Sequence, residues 1–392
     1  MPAKKKNTPG RRHLAYAVTR RRDFHRHPEI GLEERRTQKV LREELKAMKI
    51  PAKGIAKTGI LGRLSSRAKG PVLMLRADMD ALPVTEENRA DYCSSTPGKM
   101  HACGHDAHMA ILLAAARELK ETGIERGTVK LLFQPGEEGF RGAQDVIDDG
   151  ALSNPDVDGA FGLHVWSAVP AGKIGIIDGP CMAATDTFTI TVTGQGGHAA
   201  MPHLSVDPIV IAAQIVTAFQ TIVSRQVDPL DTAVVTVGSI QSGTSFNIIP
   251  ENAVLRGTCR TFAKATRKLV HRRVKEIAVG IAKSLGGKAD VDYEEFLPAT
   301  VNDRRMAALA REAAAAVVGK RNVVDVDPSM GGEDMSLYLE RVPGCFGFVG
   351  LRNEKRGIVY PHHHPKFDLD EECLAVGTDL MVEFTRRFLA SA

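Results

Sequence analysis

The chain has 392 residues, more than one hydrophobic core usually serves, so its length predicts two domains. Its apolar fraction of 43% and charged fraction of 25% exclude a disordered chain and are those of an ordinary soluble globular protein. A net charge of only +5, combined with 5% aromatic residues, argues against a nucleic-acid partner.

The beginning of the sequence is basic, with Lys4–Lys6 followed by several arginines, and we interpret it as a solvated terminus. No apolar segment follows these charges, and none reaches the roughly 18 residues of a membrane span. Neither a secretory signal nor a membrane partner is therefore predicted. The six cysteines are scattered without a disulfide-like pattern, which favours a reducing cytoplasm as the location.

Helical and extended patterns alternate along the first part of the chain. Residues 15–50 have a helical pattern, and Val72–Leu75 is a continuous apolar run typical of a buried parallel strand. The other predicted elements are strand Thr58–Leu64, helix Asp106–Leu119, strand Thr128–Phe133, helix Arg141–Asp149 and strand Gly159–Leu163. Such alternation predicts an α/β fold with a mostly parallel sheet.

The pattern changes near residue 184 and returns to α/β after residue 298, with a helix near 303–318, strand Cys345–Val349 and helix Glu371–Leu389. The elements between are strand Thr185–Thr193, helix Pro208–Arg225, strands Thr232–Gln241 and Ala253–Phe262, helix Lys264–Leu285 and strand Lys288–Phe296. This β-α-β-β-α-β order is the ferredoxin-like α+β arrangement, which is complete in itself. We therefore predict an inserted domain over 184–298, between two parts of a catalytic domain at 1–183 and 299–392.

Side chains suited to metal binding and proton transfer follow the predicted strands or precede the helix that begins at Asp106. They are Asp78, Asp80, Cys103, His105, Glu137, Glu138 and His164. In open α/β sheets, ligands bind at the carboxyl ends of the strands. Thiolate, imidazole and carboxylate groups form zinc-type catalytic sites when a further carboxylate remains to move protons. The combination predicts a metal-dependent hydrolase.

A histidine-rich segment, Tyr360–Pro365, offers a further ligand. It contains His362, His363 and His364 in succession and leads into Lys366. Spacing alone leaves open which of the three binds the metal.

Four longer motifs make the sequence similar to a known family. They are Leu75–Pro83, Met100–Asp106, Gln134–Gly139 and Gly197–Pro202. With them the chain resembles the metal-dependent amidohydrolases of the hippurate-hydrolase branch, which also holds auxin-conjugate hydrolases and N-acyl-amino-acid amidohydrolases, within the aminoacylase/carboxypeptidase clan. The likeness runs from Arg22 to Phe367, nearly the whole chain.

The resemblance implies a catalytic domain with two divalent metal ions, interrupted by a lid domain that often mediates formation of a homodimer or higher homo-oligomer. The metal ligands that it implies are Cys103, His105, Glu138, His164 and His363. His363 is preferred because the family places this ligand two residues before a proline, here Pro365. A thiolate ligand favours Zn²⁺, whereas carboxylates and imidazoles also suit Mn²⁺.

The resemblance also implies roles for residues that do not bind the metal. Glu137 takes the part of general base, and Asp80 is a carboxylate that orients a ligand or stabilises the metal pair from behind. In the lid, His198 resembles the residue that stabilises the oxyanion, while Asn247 and Arg260 resemble the pair that holds a substrate carboxylate.

One departure from the family concerns the residues after Glu138-Gly139. The family usually has a glycine-rich stretch there, whereas this chain has Phe140-Arg141. Because these side chains are near the ligands in sequence, we expect them to influence substrate preference rather than the chemistry.

The leading hypothesis is hydrolysis of the amide bond of small N-acyl amino acids, with an aromatic acyl or acetyl group, in the cytoplasm. A dipeptidase or aminopeptidase of the same clan is the first alternative. It needs an acidic group for a free α-amine, and the lid sequence suggests none. A non-catalytic metal-binding protein is the second, and the presence of Glu137, which such a protein does not need, argues against it.

Overall fold

The computed structural model describes residues 7–391, which form two compact units. Within the described chain, unit 1 comprises residues up to Cys181 together with Val301–Asp327 and the stretch from Leu337 onward. Unit 2 comprises Met182–Thr300 and Pro328–Ser336. The basic run Lys4–Lys6, expected to be a solvated terminus, lies outside the described residues.

The helices and strands are numbered in chain order. Up to residue 182 they are α1 Pro9–Arg26, α2 Arg35–Ala47, β1 Ala52–Ile55, β2 Gly59–Ser65, β3 Val72–Asp78, α3 His105–Thr122, β4 Thr128–Gln134, α4 Gly142–Asp148, β5 Gly159–Pro170, β6 Ile174–Gly175 and β7 Gly179–Met182. From 184 to 302 they are β8 Ala184–Thr193, β9 Gly197–His198, α5 Pro208–Arg225, β10 Ala233–Ser242, β11 Ile248–Ile249, β12 Asn252–Thr261, α6 Lys264–Ser284, β13 Lys288–Leu297 and β14 Thr300–Asn302. The last are α7 Arg304–Val318, β15 Val323–Val324, α8 Met335–Leu339, β16 Gly344–Arg352 and α9 Glu372–Ala390.

Unit 1 is built on an eight-stranded sheet with the order β1-β2-β4-β3-β5-β16-β6-β15. Its central strands β4, β3, β5 and β16 run parallel, whereas β1 and β2 are antiparallel at one edge. Every residue of β3 is buried, as the apolar run predicts for a strand covered on both faces. The carboxyl ends of β3, β4 and β5 therefore meet at one edge of the sheet.

Helices α1, α3 and α9 pack against one another beside this sheet. The first four turns of α3 are buried almost throughout, because small alanines alternate there with leucine and isoleucine and let neighbouring elements approach closely. The helix ends at Gly123, whose φ of 78° suits a residue without a side chain. The most buried helix of the unit thus begins at His105, beside the ligand candidates.

Two predicted elements differ from the structure. The helical pattern over 15–50 is two helices, α1 and α2, because Pro28 disfavours helical backbone at His27 and removes a backbone donor. Strand β5 does not end at Leu163 but continues to Pro170, because β16 pairs with it along that whole length. His164 therefore lies within a strand rather than after it.

Unit 2 contains a four-stranded antiparallel sheet with the order β10-β12-β8-β13. Helices α5 and α6 pack against the sheet and against each other. The residues that they cover alternate along β8, namely Phe188, Ile190 and Val192, as a period of two requires. Together with the mostly parallel sheet of unit 1, this ferredoxin-like arrangement confirms the predicted fold class.

Helix α5 is long and apolar enough to cross a membrane by length and composition alone, with a mean hydropathy of 1.3. Polar residues such as Gln214 and Gln220 interrupt the apolar residues of α5, so its sequence contains no continuous apolar run. One face of α5, which includes Ile211, Ile215 and Phe219, is buried in the core of unit 2. Its composition is therefore weak support for a membrane span.

Candidate active site

The candidate ligands of unit 1 come from the ends of two strands, the middle of a third strand and the start of one helix. Asp78 is the last residue of β3, Glu138 follows β4 after a short turn, His164 lies in β5, and His105 begins α3. Parallel β3, β4 and β5 put their carboxyl ends side by side, which brings these distant stretches of sequence together.

A glycine between two of the candidates makes their approach possible. Gly104 has a φ of 93°, in the left-handed region that favours glycine. A Cβ atom at this position would lie 2.5 Å from Cγ2 of Val165 in β5. Only glycine therefore lets the turn that carries Cys103 and His105 close onto the strand that carries His164.

Cys103, His105 and His164 form the first group of candidate ligands. Their ligand atoms all lie within 4.8 Å of one another, and all three side chains are buried. Cys103 Sγ is 3.4 Å from His164 Nε2. A thiol and two imidazoles at this spacing are a ligand combination that suits a borderline-soft divalent ion such as Zn²⁺.

Glu138 joins this group to His363. Glu138 Oε1 is 4.0 Å from His105 Nε2 and 3.2 Å from His363 Nε2. Cys103, Glu138 and His363 also have ligand atoms within 4.8 Å of one another. The structure thus brings together all five residues that the sequence analysis assigned as metal ligands.

The hydrogen bonds of two imidazoles leave the same ring nitrogen available in each. His105 Nδ1 donates to the backbone oxygen of Asp80 at 2.9 Å, and His164 Nδ1 donates to the backbone oxygen of Val165 at 2.7 Å. Since a carbonyl only accepts, the proton of each neutral ring is on Nδ1. Both Nε2 atoms then carry a lone pair, as metal ligation requires.

Two buried atoms of the cluster have no hydrogen-bond partner of acceptable geometry within the described chain. His105 Nε2 and Glu138 Oε1 are both shielded from solvent and make no hydrogen bond there. Buried polar atoms are normally paired, and an unpaired one costs about 1–3 kcal/mol. A cation between an imidazole nitrogen and a carboxylate oxygen would satisfy both atoms, so this observation fits a metal site.

The electrostatics of the cluster also fit a cation. Burial, followed by the nearby carboxylates of Glu138 and Glu137, holds the pKa of the Cys103 thiol well above its ordinary value. Burial opposes protonation of His105, but Asp78 and the other carboxylates around it outweigh this effect and raise its pKa to about 10. The carboxylates thus dominate the electrostatics of the cluster, an environment that favours a bound cation.

Asp80 holds the turn that carries the paired glutamates. Its Oδ1 accepts the backbone N–H of Glu137 at 3.0 Å, and its Oδ2 accepts that of Glu138 at 2.9 Å. The backbone oxygen of the same residue accepts from His105, as described above. Through these three bonds, Asp80 fixes both the glutamate turn and the orientation of His105, a candidate ligand.

The structure distinguishes the three consecutive histidines. His363 lies beside Glu138, and its φ of 65° is unusual for a residue other than glycine. His362 instead bonds Ser167 Oγ through Nδ1 at 3.1 Å, and Nδ1 of His364 accepts a backbone N–H two residues further on. Of the three, His363 is the one with a ring nitrogen beside the Glu138 carboxylate.

Two residues that bond Asp78 at the cluster, His108 and Arg76, are absent from the predicted site. His108 Nδ1 donates to Asp78 Oδ1 at 2.6 Å, and Arg76 Nη1 donates to Asp78 Oδ2 at 2.7 Å. Burial alone would raise the pKa of Asp78, but the electrostatic interactions with His105, His108 and Arg76, together with the hydrogen bond from His108, hold it well below its ordinary value. A signal existed, because His108 is a polar residue one turn after His105 in an otherwise apolar stretch of helix.

Comparison with known proteins identifies the family to which this arrangement belongs. Residues 74–387 match the family described as Peptidase family M20/M25/M40. The chain belongs to this family. It is 40% identical over 372 residues to the N-acetylcysteine deacetylase of Bacillus subtilis (strain 168), covering 93% of this chain and 95% of that protein.

Two further relatives support the assignment to the M20 family. The chain is 40% identical over 375 residues to IAA-amino acid hydrolase ILR1-like 4 of Arabidopsis thaliana, covering 94% of this chain and 84% of that protein. Its structure is similar to that of the Bacillus subtilis YXEP protein, described as a dinuclear metal binding peptidase, with a TM-score of 0.86 and 36% identity over 97% and 100% of the two chains. The protein is thus a metal-dependent amidohydrolase, which confirms the predicted resemblance and reaction class.

Two of the lid residues predicted for this M20 amidohydrolase are neighbours in unit 2. His198 ends the short strand β9 and lies opposite Ile248 of β11. The backbone N–H of Ala199 donates to the backbone oxygen of Asn247 at 3.1 Å. The exposed side chains of His198 and Asn247 therefore lie on adjoining segments of one small ribbon.

Arg260 lies in the four-stranded sheet of unit 2 rather than on that ribbon. It is a residue of β12, and its Nη1 donates to Thr258 Oγ1 and, at 3.0 Å, to the backbone oxygen of Cys259. The side chain is partly buried, and burial lowers the pKa of its guanidinium. A desolvated guanidinium of this kind interacts strongly with a carboxylate.

The two residues that depart from the family pattern have different surroundings. The Phe140 ring packs over Gly31, where an added Cβ would lie 2.4 Å from Cδ2 of the ring, and it also contacts the turn at Gly136. Arg141 is exposed, and its Nε lies 3.7 Å from Oδ1 of Asp145 in α4. Phe140 thus holds the glutamate turn against the loop that contains Gly31, while Arg141 faces solvent.

Proposed function

We propose that this M20 protein hydrolyses the amide bond of N-acyl amino acids and uses two divalent metal ions. The observation that carries the proposal is the pair of adjacent glutamates held by Asp80. Glu138 reaches His105 and His363, while Glu137 offers a second carboxylate within 4.8 Å of ligand atoms of His105 and Glu138. One carboxylate thus has the position of a ligand and the other that of a base.

The ions would be held by two overlapping groups of ligands that share Cys103. One group is Cys103, His105 and His164, and the other is Cys103, Glu138 and His363. Bound there, divalent ions would polarise the amide carbonyl and make a water molecule more acidic. Zn²⁺ is our first assignment because the set contains a thiolate, and Mn²⁺ is the alternative. The dinuclear description of the similar Bacillus subtilis protein supports two ions rather than one.

Glu137 would act as the general base and then as the general acid. It accepts a proton from the attacking water while the water oxygen bonds to the carbonyl carbon. It then delivers this proton to the amide nitrogen as the C–N bond breaks, so the products are a carboxylic acid and a free amine. Glu138 cannot perform this step while it coordinates a metal, so the two adjacent glutamates have separate tasks.

We assign substrate contacts to the lid residues. His198 would donate to the oxyanion that forms on the carbonyl oxygen, and one such donor is typically worth about 3 kcal/mol of transition-state stabilisation. Asn247 and Arg260 would bind the carboxylate of the amino-acid part. The partial burial of Arg260 supports this assignment, since a carboxylate would compensate a guanidinium that has lost water.

The relatives support an N-acyl amino acid as substrate. One is named for removing the acetyl group of N-acetylcysteine, and another for hydrolysing IAA–amino acid conjugates. Both names describe an amino acid whose nitrogen carries an acyl group. We therefore infer an acetyl or aromatic acyl group on the substrate of this protein.

The test is hydrolysis of hippurate and N-acetyl amino acids by protein stripped of metal and then supplied with Zn²⁺ or Mn²⁺. We expect no turnover without metal and restored amine release with it, because the bound ions would polarise the amide carbonyl and make the attacking water more acidic. A dipeptide with a free α-amine is the control. Turnover of the dipeptide together with inactivity on every acylated substrate would assign the protein as a peptidase instead.

Arg260→Ala is expected to raise KM for substrates with a free carboxylate by about 10-fold or more, since it removes one charged hydrogen-bond partner worth about 1.5–3 kcal/mol. The kcat should change less. Initial rates on an N-acetyl amino acid and on its methyl ester separate the effect from general damage. An equal rise in KM on both substrates would contradict the assignment of Arg260 to the carboxylate.

We further infer that the protein forms a homodimer through unit 2. Helix α5 exposes Ile209 and Val210, and the edge strand β10 exposes Ile240. An unpaired strand edge beside exposed apolar side chains is a surface that a second copy can cover. Light scattering should give twice the chain mass of 42.4 kDa, and a monomer mass would contradict this inference.

A further inference from the structure

The backbone of Val165, the residue after the proposed ligand His164, forms hydrogen bonds with three histidine side chains. Val165 follows His164 in β5, and its N–H donates to His108 Nε2 at 2.9 Å. Its carbonyl oxygen accepts from His164 Nδ1 at 2.7 Å and from His362 Nε2 at 2.8 Å. We call this arrangement the Val165 node, made of Val165 and the rings of His108, His164 and His362.

The direction of each bond in the Val165 node determines where the ring protons are. Because the Val165 N–H is a donor, His108 Nε2 must be an acceptor, and the proton of His108 is on Nδ1. That proton is donated to Asp78 Oδ1, while Asp78 Oδ2 accepts from Arg76. His108 is therefore a neutral ring fixed at both nitrogens between a buried ion pair and the backbone of β5.

The same node restricts the ring of His164. The His108 ring lies 4.5 Å from it, centroid to centroid, at an angle of 75°. The His362 ring lies 5.0 Å from it at 87°. The His164 ring thus has two edge-to-face neighbours, and its Nδ1 proton is donated to the Val165 oxygen. These contacts hold the ring with its Nε2 3.4 Å from Cys103 Sγ.

The Val165 node also joins the segments that carry the other proposed ligands. His108 is one helical turn after His105 in α3, and His362 immediately precedes His363. Both partners therefore tie a second ligand-bearing segment to the strand of His164. A displacement of either ring would change the separation between ligands that come from different parts of the chain.

We propose that His108 and His362 are positioning residues, which set the geometry of the metal ligands through the main chain of Val165. The inference rests on the proposed function only in that it requires a metal at this cluster. Both ring nitrogens of His108 bond Asp78 and Val165, and both of His362 bond Ser167 and Val165, so we assign neither ring as a metal ligand. Their effect is on metal affinity and coordination geometry, because residues that orient ligands typically change metal affinity by about 10–100-fold.

Amide side chains can test each bond of the node separately. In His108→Gln the amide oxygen takes the place of Nε2 and still accepts from Val165, whereas His108→Asn retains the donor to Asp78 and loses the Val165 bond. In His362→Gln the amide NH₂ takes the place of Nε2 and still donates to the Val165 oxygen. In His362→Asn the shorter side chain retains only the bond to Ser167. The readouts are Zn²⁺ affinity by competition with a chromophoric chelator and the absorption spectrum of the Co²⁺-loaded protein.

Both Asn variants are expected to bind Zn²⁺ about 10–100-fold more weakly and to shift the Co²⁺ spectrum, while both Gln variants stay within about threefold of the parent. His271→Asn is the control, since the His271 ring stacks on Tyr293 and bonds Glu295 in unit 2, outside the cluster. It should lower the melting temperature of the metal-free protein without changing Zn²⁺ affinity.

Two outcomes would overturn the proposal. One is an Asn variant with the Zn²⁺ affinity and Co²⁺ spectrum of the parent; the other is equal weakening in the Asn and Gln variants of either residue. A purely structural role would give a lower melting temperature with unchanged affinity of the folded protein. Failure of the proposed function gives a different result, namely a parent protein that binds metal normally but releases no amine from any acylated amino acid.

Discussion

Glu137→Gln is expected to retain the fold and the bound metal while kcat falls by about 10²–10⁴-fold. The substitution keeps the size of the side chain and removes the group that accepts a proton, and general-base catalysis is typically worth that factor. The backbone N–H that Glu137 donates to Asp80 is unaffected, so the glutamate turn should stay in place. The measurements are the metal content of the purified variant and kcat on the best N-acyl amino acid.

The adjacent residue provides the matched control. Glu138→Gln makes the same chemical change one position further on, where Oε1 faces His105 and His363. This variant should lose metal affinity, and excess metal should restore part of its turnover. For Glu137→Gln, added metal should restore none. If Glu137→Gln turns over at a rate close to that of the parent, or if metal rescues it, the residue is not the base.

Much of the candidate site is predictable from the sequence because one topological rule governs it. Parallel strands end at the same edge of their sheet, so polar residues after β3, after β4 and within β5 must converge there whatever their separation along the chain. The apolar run of β3 is a local signal as well. These features need no knowledge of long-range packing.

The supporting contacts are not predictable in this way because they involve backbone atoms. The sequence contains His108 and His362, but no pattern of side chains indicates that both bond the main chain of Val165. Spacing alone likewise leaves open the choice among the three histidines, and only the family resemblance favours His363. Extension of β5 beyond Leu163 depends on its pairing with β16, in which Pro170 lies opposite Arg352, far away in sequence.

Unit 2 gives the same contrast. The longer strands of its sheet have a clear period of two, and its helices have apolar positions three and four residues apart, so the ferredoxin-like order follows from the sequence. The strands β9 and β11 have two residues each, too few for a period to be detected. The ribbon that carries His198 therefore becomes visible only in the structure.

Asp80→Asn is expected to lower kcat/KM by about 10–100-fold, the second large effect. Each oxygen of the Asp80 carboxylate accepts one backbone N–H, from Glu137 and from Glu138. An amide has one oxygen, so its NH₂ group must face one of these N–H donors. A donor left unpaired in this way costs about 1–3 kcal/mol, which displaces the turn that carries both the proposed base and a proposed ligand.

The variant that isolates this effect is Asp158→Asn. Asp158 precedes β5 and bonds Val72, the first residue of β3, far from the end of β3 that leads to Asp80. Asp158 Oδ2 accepts the backbone N–H of Val72 at 2.8 Å, and an asparagine oxygen can accept that single bond equally well. The two variants make the same change of charge, but only Asp80 must accept two donors. Equal kcat/KM values for Asp80→Asn and the parent would mean that the turn does not depend on both bonds. A loss confined to Asp80→Asn, with partial loss of metal, would establish that this carboxylate acts by holding Glu137 and Glu138 in place.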